Sequence, residues 1–301
     1  MKLLSVVLLL LPLSICLARV VNDFTQSCPQ FFANPNDVVS PPTGFTGDRF
    51  KRICQTLNDQ AEFATLYDTE NRIPVYSAYR FTGLMKCKRT DKWYIEPQLE
   101  NGTLGPNMDT ESAVRNIVNQ AENADYAGSR LHKGHLAPVF HATSQSCSDA
   151  TFTLTNAAPQ NPSFNSGKWK VTERAMANSL KNYCLNKNWS AFVVTGVVPG
   201  NNKMNNRVRI PSHFWTAFCC LDNNNIPIHS GAYIGENSND FAPYRKSVLD
   251  VETELTQLYG EHFRNIIPFK FQLFDGKCYT ETERAQKRKK SGCETKKRRK
   301  L

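Results

Sequence analysis

The sequence predicts an α+β fold, a mixed or antiparallel central sheet with flanking helices. Three observations carry this. β-like runs cluster at 63–83 and 190–237, two amphipathic helical stretches lie at 168–185 and 246–260, and strands and helices do not alternate as regular βαβ units. The chain has 301 residues, enough for a real core, with 40% hydrophobic and 21% charged residues. That composition is globular rather than disordered.

The elements follow in order. MKLLSVVLLLLPLSICLA at the N-terminus has one basic residue, a short apolar run and a small residue at its end, which predicts a secretory signal peptide over residues 1–18. No later stretch has about eighteen consecutive apolar residues, so no transmembrane segment is expected. Residues 19–60 read as a loop-rich lead-in stapled by Cys28 and Cys54. FATLYDTENRIPVYSAYRFTG, 63–83, reads as two strands about a turn at Asp68–Asn71, with Pro74 at an edge or a strand start. A short extended piece runs from Lys92 to Pro97, and 98–110 is a loop. The segment 112–123 shows Val114, Ile117 and Val118 at helical spacing with Ser112 as a candidate N-cap, which predicts a helix.

TFTLTNAAPQ, 151–160, reads as a strand entering a proline turn. Helix 168–185 carries Trp169, Thr172, Met176 and Leu180 on one face, with Asn165 at its start and Glu173 eight residues on, so the two share a face. Strands 190–200, ended by Pro-Gly, 208–225 and 226–237 follow, the last two joined as a hairpin at Asn223–Asn225. Helix 246–260 takes Ser247 as N-cap and Gly260 as C-cap.

Charge lies mainly at the C-terminus. The net charge is +10, but residues 284–301 hold ten Lys/Arg against one Glu, and Lys2 and Arg19 add two more, leaving 20–283 at −1. The tail has no apolar face and is expected to be disordered. It resembles a bipartite nuclear import signal. Behind a signal peptide, a basic arm for polyanions (nucleic acid, glycan or anionic lipid) or a merely solvated tail fits better.

Ten cysteines are present and Cys16 leaves with the signal, so nine remain and at least one stays unpaired, Cys293 being the natural candidate. Adjacent Cys219 and Cys220 point to opposite faces of a strand and should take different partners. No C-x-x-C pair exists, which argues against a cysteine zinc module. Asn101-Gly-Thr103 and Asn188-Trp-Ser190 are glycosylation sequons.

Chemistry concentrates between residues 131 and 174. Cutting a phosphodiester requires a base, positive charge at the phosphate and a proton source for the leaving oxygen. His135 is a candidate base, Lys133 a candidate phosphate contact, Asn165 a candidate Mg²⁺ ligand, and Glu173 a group that would hold a water of the ion. Singly these signals are weak, since a histidine after a turn and an asparagine near a proline are more often structural.

Together, HKGH, LTNAAPQNPSFN and W-x-x-x-E resemble the DNA/RNA non-specific endonucleases. That family has a ββα-metal (His-Me finger) site built from D-R-G-H and N-x-x-P-Q-x(4)-N-x(3)-W-x(3)-E. Asn156, Pro159, Gln160, Asn165, Trp169 and Glu173 keep every spaced position. The resemblance runs from IPVYSAY, 73–79, through VVTGVV and IPSHFW to FRNIIPF, 263–269, and implies an endonuclease domain over 61–283. It implies His135 as general base, Asn165 as the metal ligand, Glu173 holding a metal-bound water, and Asn156 orienting the site. The implied cofactor is Mg²⁺, with Mn²⁺ as substitute, and the implied partner is the DNA or RNA backbone. His132 and Lys133 stand where the family has Asp and Arg, and Ala177 stands where bacterial members have an Arg. Arg174 is a candidate replacement, and Arg89 and Lys92 are candidates for an upstream cation. Two functions follow from the pattern: a secreted, Mg²⁺-dependent, sequence-non-specific nuclease, or a catalytically weakened nuclease-fold binding protein.

Overall fold

The computed structural model describes residues 20–263, 269–285, 287 and 288. The expected signal peptide, Cys293 and most of the basic tail lie outside the described residues.

The centre is an eight-stranded antiparallel sheet in the order β1-β2-β3-β4-β7-β8-β9-β10, and a separate two-stranded ribbon pairs β5 with β6. The strands of the large sheet are β1 (Val20–Val21), β2 (Phe50–Leu57), β3 (Gln60–Asp68), β4 (Ile73–Phe81), β7 (Ser190–Met204), β8 (Val208–Leu221), β9 (Pro227–Glu236) and β10 (Tyr244–Lys246). The ribbon is β5 (His132–His135) and β6 (Ala157–Gln160). Short helices α1 (Phe24–Ser27), α2 (Pro97–Glu100), α3 (Asn123–Tyr126) and α4 (Gln145–Ala150) punctuate the loops, and α5 (Lys170–Tyr183) and α6 (Val248–His262) are the long ones. The α+β expectation with its ββα unit holds: β5, β6 and α5 follow one another around the ribbon.

Side-chain alternation along the strands separates two cores. Ala64, Leu66, Tyr76, Val194, Trp215 and Ala217 face α6 and the N-terminal segment, where Val251, Leu255 and Tyr259 meet Phe24, Phe32 and Phe45. Phe63, Tyr79, Phe81 and Val193 face the other way, onto Met176, Ala177 and Leu180 of α5. Cys219 and Cys220 obey the same alternation. Cys219 bonds Cys278 on the first face and Cys220 bonds Cys184 at the end of α5 on the second. The expected Cys28–Cys54 bond is present.

Several expectations are corrected. The 19–60 stretch is not all loop: β2 pairs with β3 over its whole length and β1 adds an edge strand. The helix expected at 112–123 does not form. A 3-10 turn covers Glu111–Ala113, and the backbone beyond is satisfied from elsewhere. Glu100 accepts the Val118 and Asn119 N–H groups, Arg72 donates to the Val118 carbonyl, and Arg207 donates to the carbonyls of Ile117 and Gln120. These partners supply what an i→i−4 ladder would have supplied, so the weak apolar period decides nothing. Helix α2 opens the stretch read as the 98–110 loop. Only Ala157–Gln160 of 151–160 is a strand, since Leu154–Asn156 is a 3-10 turn. Strand β7 passes through Pro199-Gly200 with a register shift and continues to Met204. Gly260 lies inside α6, whose C-cap is Phe263, while Ser247 caps its start as expected. The hairpin at 223–225 is present, closed by Asp222 and Ile226.

Candidate active site

The ribbon places the histidines. His132 pairs with Gln160 and His135 with Ala157. Gly134 between them is required by close approach: a Cβ there would sit 2.2 Å from Gln160 Oε1 and 2.7 Å from Gln160 Cβ. Asn156, fully buried, locks the chain just after His135. Its Oδ1 accepts from the Ala137 N–H (2.9 Å) and Ser77 Oγ (2.8 Å), and its Nδ2 donates to the carbonyls of Ala137 and Thr151 (3.0 and 2.9 Å). Every hydrogen-bonding position of Asn156 is thereby filled by the protein, so it can orient the site but not touch a substrate.

After β6, Asn161 turns the chain, its side chain accepting from the Ser163 and Phe164 N–H groups. A π-helical stretch, Phe164–Trp169, then leads directly into α5. This wide turn, rather than two α-turns, separates Asn165 from Glu173, and it is anchored by Phe164 and Trp169, both buried against Phe214. Glu173 lies in the first turn of α5, which continues the π-helical stretch without a break.

One cavity of about 360 Å³ collects these groups. It is lined by Arg89, His132, His135, Phe140, Asn165, Lys170, Glu173 and Arg174, among others. The expected His135, Asn165 and Glu173 therefore converge, with Arg89 and Arg174 supplying charge. Lys133 and Lys92 do not line the cavity. Lys133 donates to Asn123 Oδ1 and lies 4.7 Å from the Trp93 ring centre, and Lys92 lies 4.8 Å from that of Tyr94. Lysine's stem packs readily on aromatic faces, and burial lowers the Lys133 ammonium below its ordinary range. Ala177 is fully buried in the sheet-facing core, so its position offers no cation to the cavity.

Electrostatics divides the site. Burial, then the charges of Arg89 and Lys133, push His135 down to about 3, which keeps the ring neutral. Its Nε2 is buried and has no protein partner, and the ring packs between Trp93 and Phe152. Burial pushes Glu173 up to about 8 against the opposing influence of Lys170 and Arg89. Asn165 Nδ2 lies 3.3 Å from His132 Nδ1.

Sequence reasoning missed Lys170, Phe140 and His141. Lys170 follows Trp169 inside the recognised motif and is legible only once the π-turn is known. Phe140 is 39% exposed and lies 5.8 Å from the Arg174 guanidinium carbon. His141 is buried, with Nδ1 2.7 Å from Tyr79 Oη and Nε2 3.0 Å from the Glu173 carbonyl. A carbonyl only accepts, so Nε2 carries the hydrogen and Nδ1 accepts from tyrosine. This fixes the start of α5 against β4.

The donor set suits a hard cation. An amide oxygen and a buried carboxyl, whose proton a bound cation would displace, are oxygen ligands for an ion that keeps most of its waters. Among the described residues there is no group of three or more His, Cys, Asp or Glu that could hold a metal ion.

Comparisons with known proteins bear on the family and the fold. A sequence model of the DNA/RNA non-specific endonuclease family matches residues 45–259. The human Endonuclease domain-containing 1 protein is 29% identical over 273 residues, 87% of this chain and 50% of that protein, and the mouse protein is 28% identical over 270. This chain thus spans about half the length of those relatives. Human mitochondrial Endonuclease G is 33% identical over 110 residues, 32% of this chain and 35% of that protein. A chain from the crystal structure of the EndoG/EndoGI complex superposes with a TM-score of 0.50 at 21% identity, covering 77% of this chain and 88% of that one, which shows a shared fold. With the family model matching well over half of its length and the ββα unit in place, this chain belongs to the DNA/RNA non-specific endonuclease family.

Proposed function

We propose that this chain is a secreted, Mg²⁺-dependent endonuclease that hydrolyses phosphodiester bonds of DNA and RNA without reading sequence. The carrying observation is the single cavity that joins His135, Asn165 and Glu173 to Arg89, Lys170 and Arg174. Every one of these groups addresses phosphate, water or a cation. In this reading they engage the backbone rather than the bases.

In this reading His135 takes the proton from the attacking water. Burial, the largest cause of its lowered proton affinity, keeps the ring neutral and able to accept a proton, and a phosphodiester in the cavity would offset the smaller effects of Arg89 and Lys133. Arg89, Lys170 and Arg174 hold the phosphate oxygens as negative charge builds. Asn165 would hold Mg²⁺ directly, or Mn²⁺ in its place, and Glu173 would hold it through the hydration shell. Bound there, the ion would supply charge neutralisation and a proton source for the leaving oxygen. Asn156 and His141 keep the two halves of the site in register.

Secretion is supported by the N-terminal leader pattern and by the three disulfides among the described residues. No described helix is long and apolar enough to cross a membrane. Both sequon asparagines, Asn101 and Asn188, are exposed and would accept glycans. The basic tail would add affinity for polyanions.

The second reading, a weakened nuclease-fold binding protein, is favoured by one observation: Lys133 and Lys92 turn onto aromatic rings and leave the cavity with fewer cations. Digestion of supercoiled plasmid and of RNA, with Mg²⁺ and with EDTA, separates the two. Metal-dependent nicking of both supports the nuclease. Retained DNA binding without turnover at any Mg²⁺ or Mn²⁺ level supports the binding protein.

A further inference from the structure

The segment from 82 to 93 has no regular structure and carries Arg89 into the cavity. Arg89 lies over the Phe152 ring and Trp93 packs on His135 and Phe152, and the stretch before them is tied to α4. The Lys88 N–H donates to Gln145 Oε1 (2.9 Å), and Gln145 Nε2 donates back to the Lys88 carbonyl (2.9 Å). One residue earlier, Cys87 Sγ donates to the Ser144 carbonyl at 3.3 Å. Ser144 is the N-cap of α4, and its hydroxyl accepts from the Cys147 N–H at 2.9 Å. The Cys87 sulfur therefore lies on the helical turn that carries Cys147. The six disulfide-bonded cysteines are at most 1% exposed, whereas Cys87 and Cys147 are both half-buried.

We propose that Cys87 and Cys147 form a fourth disulfide, one that clamps the Arg89 segment to α4 and stays open to thiol–disulfide exchange. The residue types and placement fit: two thiols on apposed, hydrogen-bonded segments, reachable by solvent, in a chain whose other described cysteines are all paired. Their mutual influence is already present, since the Cys87 thiol is among the groups acting on Cys147, whose own thiol burial pushes up to about 11. The oxidant is a disulfide of the exchange class, oxidised glutathione or a dithiol oxidoreductase. The Cys87 thiolate attacks it, one partner sulfur leaves as a thiol, and a mixed disulfide forms. The Cys147 thiolate then displaces the second partner sulfur. Two protons leave the protein and two electrons end on the partner as a pair of thiols. The effect on catalysis rests on the role given to Arg89 above. The bond itself does not.

The test is a non-reducing peptide map of the full chain, exported by a secretory host and alkylated with iodoacetamide before digestion. The expected result is a cross-linked peptide joining Cys87 to Cys147. Mild native treatment with dithiothreitol should open it before the three buried bridges. Both cysteines alkylated in unreduced protein, or Cys87 joined to another cysteine, would overturn the proposal. The C87S, C147S and double variants should show the same several-fold faster tryptic cutting at Lys88 and Arg89, with the rest of the chain protected. Unchanged cutting in all three would remove the clamp. A chain with the cross-link but no nuclease activity would fail the functional reading while leaving the bond established.

Discussion

The Nδ2 of Asn165 lies 3.3 Å from the Nδ1 of His132, joining the proposed cation ligand to the residue in the family's acidic position. With Nδ2 facing the imidazole, the Asn165 Oδ1 is left for the ion. Groups that orient a ligand typically carry about 10–100-fold in metal affinity. His132→Ala is expected to weaken Mn²⁺ binding by about that factor, read by titration calorimetry. An unchanged dissociation constant would remove His132 from the site.

The two arginines in the cavity and the two lysines outside it should behave differently. Arg89→Ala and Arg174→Ala are each expected to lower the plasmid-nicking rate by roughly 10²–10³, the usual loss of a transition-state donor. Lys92→Ala should stay within a few-fold of wild type. Lys133→Ala should lower the melting temperature more than the rate, because its stem and ammonium are packed on Trp93 and Tyr126.

His141 links stability to pH. Burial holds it at about 4, against an ordinary value of 6.5, so the folded state binds the proton less readily than the unfolded chain. Its contribution is complete above pH 6.5 and is lost as pH falls toward 4. Across that window wild type should lose on the order of 2–3 kcal/mol more than His141→Gln, measured by denaturant unfolding at several pH values. Parallel curves for the two proteins would contradict it.

Gly134 tests the ribbon. Gly134→Ala forces a methyl group against the Gln160 side chain. Such overpacking costs about 1–3 kcal/mol, and it should also displace the neighbouring His135 and reduce nicking. Gly167, where a Cβ meets nothing within 4 Å, should accept alanine with little change in stability.

Much of the site was legible because it is local. Trp169, Thr172, Met176 and Leu180 recur at helical spacing and are all buried, and the Asn165–Glu173 spacing delivers both to one cavity. The β7–β8–β9 meander was legible from its apolar runs and turn residues. What failed was decided by distant partners. Residues 112–123 lose their helix to Glu100, Arg72 and Arg207. Lys133 sits in the motif but is drawn away by Trp93, forty residues earlier, and by Asn123, both outside the motif. Phe140 and His141 gain their roles from Arg174, Tyr79 and the Glu173 carbonyl, contacts that no short motif encodes.

The most direct measurement is single-turnover nicking of supercoiled plasmid in Mg²⁺ by wild type and His135→Ala, with DNA binding measured on the same samples. The account predicts binding within a few-fold and a cleavage rate lower by about 10²–10⁴, the range for removal of a general base. Cleavage by His135→Ala at the wild-type rate would contradict it.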